Sequence, residues 1–426
     1  MAEGLTRLLL VAHYFPPDGG AGTQRPASFC RFLPALGFEV EVVTRAVSDT
    51  ERGHWEPRDD SVDANDRHVR VNRAERQVDE SWTDALERAT GQVAARFKPE
   101  LVLVTLGPFS HARIAFAVDG AASVLDLRDP WALDGWMVHR HWLAFRKELA
   151  RMRRALAHAD GVVANVPGAR TAFERLAPRE GRTPYAVVTN GWEELDFPKV
   201  EPVPRRDRLV MRMSGTFLSS DFARLTPMRR IVRCLRASGE HIDGRGRSPY
   251  FLLRALRALR NAGHPAGSEI VLEVAGQADE LTLSLIEESG MGDAVRMLGY
   301  LPHSASVSFI READALVLPM HGLPRGGRAR MAPGKLYEYL ATGRPILGLV
   351  PGGDARDWIS EHPHSAIADP CDERAIMEAL VRLHADWRAG TTAASVRSPR
   401  TAEFTRRNQA ASLADYLHRV LADRGR

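Results

Sequence analysis

MAPGKLYEYLATGRPILGLV, Met331 to Val350, is the stretch whose reading decides the fold. Pro333 and Gly334 suit a loop that turns into a helix. Leu336, Tyr339 and Leu340 then recur at i, i+3 and i+4, so one stripe is apolar and faces a core. Gly343 stops the helix, and Arg344-Pro345 leads into Ile346 to Val350, an apolar run that reads as a buried strand. Lys335 and Glu338, three residues apart, share a flank beside the apolar stripe. A helix N-terminus with unpaired N–H groups, a glycine and a lysine suits phosphate, and a carboxylate one turn further in suits the paired hydroxyls of a ribose. The alternative is an ordinary exposed i, i+3 pair worth a few tenths of a kcal/mol. Residue usage leans toward phosphate. Only four of the 58 basic residues are lysine, and one of them stands at this helix start, where a compact charge suits a phosphate.

Working outward, the chain has 426 residues, enough for two or three domains with sizeable cores. At 44% hydrophobic and 26% charged residues the composition is that of a globular protein. No apolar run reaches the length of a membrane-spanning helix, and the start reads as a strand rather than a signal peptide. Cys30, Cys234 and Cys371 make no metal or redox spacing and suggest a reducing cytoplasm. Residues 1–200 hold 26 basic and 28 acidic side chains, so no broad basic face is evident there and nucleic acid is not expected as a partner.

In the first half, LTRLLLVAHYF reads as a central parallel strand, followed by the glycine-rich PPDGGAGTQRP and a helix that Pro34 kinks or shortens. The loop is no dinucleotide fingerprint. Gly20 and Gly22 supply two glycines, but Arg25 takes the third place and Thr44 ends the next strand where an acid would stand. Residues 47–97 read as a variable, charge-dense excursion with one strand at His68–Asn72; Trp55 and Trp82 there either stack on a sugar or lipid or simply pack. ASVLDLRDPW is a buried strand whose end gathers Asp126, Arg128, Asp129 and Trp131, and ligands of open parallel sheets collect beyond strand C-termini. Residues 136–160 read as a basic helix with Trp142, Phe145, Leu149, Met152 and Leu156 on one stripe. The stripe is either core or the apolar face of a helix lying on an anionic membrane. In the second half, a new series begins with LVMRMSGTF, where Gly215 would let backbone approach a phosphate. Residues 218–246 read as an arginine-rich insertion ahead of a helix at Pro249–Asn261.

PGKLYEYLATGRPIL resembles the donor-site helix and following strand of family 4 retaining glycosyltransferases, closest to the bacterial exopolysaccharide and lipopolysaccharide branch. YFPP-x-GG-x-G-x-QR, D-x-RD-x-W, V-x-NG and AD-x-x-x-xP resemble further motifs of that branch in the same order. The resemblance implies an α/β chain of GT-B fold: two Rossmann-like, doubly wound parallel-sheet domains facing across a cleft, with the C-terminal helix crossing back. It implies an acceptor domain at 1–198, a donor domain at 205–400 and the returning helix at 401–426.

By the same resemblance, donor contacts fall on Gly19, Gly20, Gly22, Arg247, Tyr300, Leu301, Gly334, Lys335, Leu336 and Glu338, together with Gly215. Acceptor and cleft residues fall on Arg25, Asp126, Trp131, Asn190 and Gly191. Lys335, Asp129 and Arg128 would carry catalysis. One position departs from the pattern: the first of the branch's two glutamates falls on Arg330.

The implied reaction moves a sugar from a UDP- or GDP-type donor to a saccharide, lipid-linked or small-molecule acceptor, with no metal and no separate cofactor. It would take place in the cytoplasm, with possible residence of the protein at the inner face of the plasma membrane. Lys335 and Arg247 would offset the charge growing on the departing diphosphate, and Asp129 would orient or deprotonate the acceptor hydroxyl. Two rivals remain: a nucleotide-sugar epimerase of the same fold, and a non-catalytic sugar-nucleotide-binding protein.

Overall fold

The computed structural model describes residues 4–18, 21–47, 68–179, 183–200, 202, 206–219, 238–393 and 396–425. The chain divides into two compact units: Met1–Met137 with Leu143–Gly191 and Phe404–Arg426, and Val138–Trp142 with Trp192–Glu403.

In the first unit the strands are β1 (Thr6–Ala12), β2 (Phe38–Arg45), β3 (Val69–Ala74), β4 (Leu101–Leu106), β5 (Ala122–Leu127), β6 (Gly161–Ala164) and β7 (Ala186–Val187). They form one parallel sheet in the order β3-β2-β1-β4-β5-β6-β7. Every residue of β4 and β5 is buried, including Ser123 and Asp126 of β5, so neither strand alternates between a core face and a solvent face. Helix α1 (Ala21–Phe32) ends just before Pro34, which opens a 3-10 turn, Pro34–Leu36, because its ring cannot continue the α-helical hydrogen bonds.

Within 47–97, read as an excursion with one strand, the structure adds a helix. Helix α2 (Trp82–Phe97) starts at Ser81, whose side chain caps Asp84 N, and it buries Thr83, Ala85, Leu86, Ala89, Thr90, Val93 and Phe97. Alanine and threonine supply four of these buried positions, so the stripe is real but weakly hydrophobic. Trp55 lies outside the described residues.

Helix α3 (Trp142–His158) buries Met152, Ala155 and Leu156 in its C-terminal half, whereas Trp142 is 56% and Leu143 67% exposed. Its stripe is therefore core at one end only. After helix α4 (Pro167–Leu176), the chain's last helix also belongs to this unit. It packs Leu413, Ala414, Tyr416, Leu417 and Val420 into the core of the first sheet. There Tyr416 Oη accepts from Val162 N at 2.7 Å and donates to Val162 O at 3.1 Å.

The second unit holds β8 (Leu209–Ser214), β9 (Ile270–Ala275), β10 (Val295–Gly299), β11 (Ala315–Pro319), β12 (Arg328–Ala329), β13 (Ile346–Leu349), β14 (Gly352–Gly353) and β15 (Ala366–Ala368). Six strands make a parallel sheet in the order β10-β9-β8-β11-β13-β15. Along β8, Leu209, Met211 and Met213 are fully buried and alternate with part-buried partners. Helices α5 (Tyr250–Asn261), α6 (Glu280–Ser289), α7 (His303–Arg311), α8 (Gly334–Thr342) and α9 (Glu373–Arg388) accompany this sheet. Leu252, Leu253, Leu256 and Leu259 of α5 join Leu380 and Leu383 of α9 in the unit's core. The arginine-rich insertion lies outside the described residues from 220 to 237, and the chain resumes at Ser238. The loop from His321 to Lys335 contains the short β12, which pairs in parallel with β14. That pairing is possible because Gly353 sits with φ +135° and its Cα lies against Ala329 O, where a Cβ would come within 2.7 Å.

Candidate functional site

Helix α8 begins at Gly334 with Pro333 as a cap that offers no side-chain hydrogen bond, and its first turn is closed by Leu336 N donating to Pro333 O at 3.0 Å. Leu336, Tyr337, Tyr339 and Leu340 anchor it in the core. That anchoring leaves Lys335 and Glu338 half-buried on its flank. Lys335 Nζ donates to Ser214 O at 3.4 Å, at the C-terminal end of β8. Ser214 is fixed in turn: its N donates to Tyr339 Oη at 2.9 Å, and its hydroxyl lies 2.8 Å from that of Ser306.

The backbone beside the lysine is built from glycine. Gly215 has φ +94°, and a Cβ on Gly276, which follows β9, would come within 2.4 Å of Gly215 O. Gly276 bridges Gly299 at the end of β10, so three strand ends converge without side chains between them. Tyr300 and Leu301, both part-buried, follow directly.

Arg247 arrives from a separate element. The 3-10 turn Gly244–Arg247 is tied to the loop after β11 by a pair of hydrogen bonds between Asp243 and Gly322, each 2.8 Å. The backbone approach is close: a Cβ on Gly246 would meet Met320 O at 2.5 Å. The result sets Arg247 within electrostatic reach of both His321 and Lys335. Burial, and then the charge of Arg247, push Lys335 down to about 7, and the same two causes push His321 down to about 4. The cluster lowers its own charge because two cations share a desolvated place. Arg330, at the position of the branch's first glutamate, has its guanidinium 3.8 Å from Glu240.

The first unit gathers its chemistry at strand C-termini too, with a different outcome. Arg25 and Asp126 are both buried and pair through two guanidinium nitrogens, Nη2 to Oδ1 at 2.6 Å and Nε to Oδ2 at 2.9 Å. Arg25 Nη1 donates to Thr189 O at 2.8 Å. The pair thus ties α1 to β5 and to the turn after β7. Trp131 is fully buried with φ +51°, a strained conformation for a bulky residue. Its ring stacks on Phe109 with centroids 5.2 Å apart, and its Nε1 donates to Glu148 at 2.7 Å. These contacts make Trp131 a strut beneath the turn that carries Arg128 and Asp129. Asn165 accepts from Asn190 N and donates to Arg128 O, both at 2.9 Å, so Asn190 supports the same turn. Gly191 lies against the backbone of Phe404 and Arg406, where a Cβ would come within 2.7 Å of Phe404 O. Gly22 lies in the first turn of α1. Gly19 and Gly20 lie outside the described residues.

Arg128 and Asp129 are the charged groups of this turn that remain open. Burial raises the Asp129 carboxyl above its ordinary value, and Arg128 opposes that shift. Next to them stands a pair the sequence reading passed over: His13, one residue after β1, and His111, after β4. Their Nδ1 and Nε2 atoms are 3.0 Å apart, and His111 Nδ1 is 3.0 Å from Thr83 Oγ1. Burial pushes both imidazoles down to about 4. For His13 the neighbouring His111, Arg45 and Arg128 add to this, and for His111 Arg113 does. Both are therefore neutral near pH 7. The signal that would have found them is positional: each histidine follows within a few residues of an apolar strand, at the edge where ligands of parallel sheets gather.

With this geometry in place, comparison with known proteins adds three facts. Residues 243–386, the stretch that carries Arg247, Tyr300, Lys335 and Glu338, match the model of the family described as glycosyl transferases group 1. No curated protein sequence matches the chain. Among solved structures, sucrose-phosphate synthase from Thermosynechococcus elongatus superposes with a TM-score of 0.63 at 14% identity, over 99% of this chain and 97% of that one. The catalytic domain of starch synthase IV from Arabidopsis thaliana, bound to ADP and acarbose, gives 0.61 at 10% identity, over 99% and 100%. A Listeria monocytogenes protein assigned as a UDP-N-acetylglucosamine 2-epimerase gives 0.55 at 13% identity, over 96% and 94%. The fold is GT-B, with two parallel-sheet α/β units. Residues 243–386 of its second unit resemble the group 1 glycosyl transferases. At these identities the structural likeness speaks for fold alone.

Proposed function

We propose that the protein is a retaining glycosyltransferase of the family 4 kind, a hexosyl- or N-acetylhexosaminyltransferase that takes a UDP- or GDP-type sugar donor. One observation carries the reading. Two cations from separate elements, Lys335 and Arg247, lie within electrostatic reach of each other beside side-chain-free backbone at the start of α8, and burial, then the charge of Arg247, lowers Lys335 to about 7. A diphosphate would supply an anion for both. The group 1 match over this same stretch supports the assignment.

In the second unit, α8 and the glycines after β8 and β9 would receive the diphosphate, with Leu336 packed beneath. Glu338 would take the ribose hydroxyls, and the backbone at Tyr300 and Leu301 would edge the base. Lys335 and Arg247 would stabilise the charge that grows on the diphosphate as the glycosidic bond breaks. In the first unit, Arg128 and Asp129 would receive the acceptor, with Asp129 accepting the hydrogen bond of the hydroxyl that attacks. Gly19, Gly20 and Gly22 would border the ligands, and Arg25, Asp126, Trp131, Asn190 and Gly191 would hold the frame. Acceptors of the saccharide or lipid-linked type used in polysaccharide assembly fit this reading, as does residence in the cytoplasm.

Contact with an anionic membrane through 136–160 is part of the proposal. Trp142 and Leu143 are exposed beside the exposed Arg146, Lys147 and Arg153. Wild type should pellet with anionic liposomes at low salt, and reversing those three charges to glutamate should abolish pelleting. No pelleting by wild type would end the membrane claim.

The test of function is incubation of the purified protein with a panel of nucleotide sugars, with and without acceptors, read by mass spectrometry. Transfer product only in the presence of acceptor supports the reading. An isomerised sugar formed without acceptor would make the protein an epimerase, and binding without turnover would leave it a sugar-nucleotide receptor.

A further inference from the structure

Arg128 is held with unusual care for a side chain that binds so little. Its guanidinium passes between two glycines: a Cβ on Gly22 would come within 2.7 Å of Nη1, and one on Gly107 within 2.3 Å of Nη2. Any other residue at either position would push the guanidinium out of this slot. Inside it, Nε donates to Leu106 O at 3.2 Å, which fixes the plane of the fork. The two terminal amino groups, by contrast, donate to no acceptor among the described residues.

The neighbouring carboxylates do not serve them. Asp126 is occupied on both oxygens by Arg25. Asp129 is near enough to influence Arg128 through space, but it receives no hydrogen bond from the described residues. His13 and His111 are neutral, bonded to each other, and supply no negative charge. A desolvated guanidinium is costly unless an anion accepts its hydrogen bonds, and a planar fork with two free amino groups matches a phosphate or carboxylate bidentately.

We infer that the first unit recognises an anionic polyol: an oxyanion, phosphate or carboxylate, seated on the Arg128 fork between Gly22 and Gly107, with a hydroxyl of the same molecule donating to Asp129. The juxtaposition explains why Arg128 and Asp129 stand side by side without closing on each other. An ion pair between them would satisfy both and leave no site. This inference rests on the acceptor role proposed for the first unit, and it names the acceptor's chemical class: a sugar or polyol carrying a phosphate or carboxylate, free or as the headgroup of a lipid.

The experiment measures binding and needs no donor, so it stands apart from whether sugar transfer is observed. Full-length protein bearing Lys335→Ala, which weakens the anion site of the second unit, is titrated by calorimetry with glucose, glucose 6-phosphate and glucuronate. A further arm uses vesicles of phosphatidylinositol against vesicles of phosphatidylcholine and tells a lipid headgroup from a soluble anion. The charged probe of at least one arm should bind about tenfold or more tightly than its neutral counterpart. Arg128→Gln should erase that preference and Arg128→Lys should keep part of it, since the charge remains and the fork is lost. Thermal melts of both variants establish that they fold; if Arg128→Gln does not, the partial loss in Arg128→Lys still reads the fork. Equal binding of charged and neutral probes in every arm, or a preference that survives loss of the fork, would overturn the inference.

Discussion

The two sheets end in the same kind of edge and solve its electrostatics in opposite ways. At the edge of the second sheet, burial and then the charge of Arg247 lower both Lys335 and His321, so the charged forms of both are disfavoured there. At the edge of the first, charge is cancelled in place. Arg25 closes on Asp126, Arg45 reaches Asp18 at 2.8 Å, and two histidines bond to each other as neutral rings. What remains open there is one guanidinium and one carboxylate. The difference teaches that a shared fold fixes where a ligand goes, while the pairing of side chains fixes which charge it must bring. On the proposed reading, the second edge would take a multiply charged anion and the first would take hydroxyls and at most one oxyanion.

The comparison can be broken first at its most rigid point. If the Arg25–Asp126 pair is frame rather than ligand site, Arg25→Met should cost about 3–5 kcal/mol in urea unfolding, because it strands a buried carboxylate. Arg25→Met with Asp126→Leu should recover most of that loss, and nucleotide binding should stay at the wild-type value in the double variant. A double variant as unstable as the single one would mean that the ion pair itself, and not its completion, holds the unit.

On the opposite edge the expected effect is on rate. Lys335→Ala should lower kcat by on the order of 10²–10³ with donor affinity less affected, since its contact strengthens as the diphosphate gains charge. Lys335→Arg should recover part of the activity. A loss confined to donor binding would make Lys335 a ground-state contact. Smaller again is the ribose contact: Glu338→Ala should weaken nucleoside diphosphate binding by about 1.5–3 kcal/mol, the worth of hydrogen bonds to a charged group. Unchanged calorimetric affinity would return Glu338 to the ordinary carboxylates of a helix.

Much of this arrangement was legible in the sequence, for physical reasons that can be named. Central parallel strands are buried on both faces, so β1, β4 and β11 carry short apolar runs, Leu8–Ala12, Leu101–Val104 and Ala315–Leu318, whose length and β-branched content mark them as strands. The stretch from Met331 to Val350 is legible because Gly343 and the spacing of Leu336, Tyr339 and Leu340 agree on one helix, Gly334–Thr342. Helix α2 was missed because alanine and threonine carry much of its buried stripe. The candidate site divides the same way. Lys335 and Arg128 declare themselves by position within motifs. The His13–His111 pair does not, since 98 residues separate its halves and only the sheet order brings β1 beside β4. Nothing local announces that Arg25 and Asp126 spend their charges on each other, or that Trp131 faces inward.

The claim at the centre is that the second unit receives a diphosphate at Lys335, and protons report on it directly. Lys335 stands near 7, against an ordinary value of 10.5, so at pH 8.5 it is mostly neutral. A bound diphosphate, fully ionised at that pH, favours the charged amine and raises its pKa, so binding must draw a proton from solution. Calorimetry of UDP and GDP binding at pH 8.5, in two buffers of different ionisation enthalpy, should show net proton uptake. The uptake should shrink toward zero at pH 6, where Lys335 is already charged, and vanish in Lys335→Ala. Tight binding at pH 8.5 with no proton taken up would contradict the account.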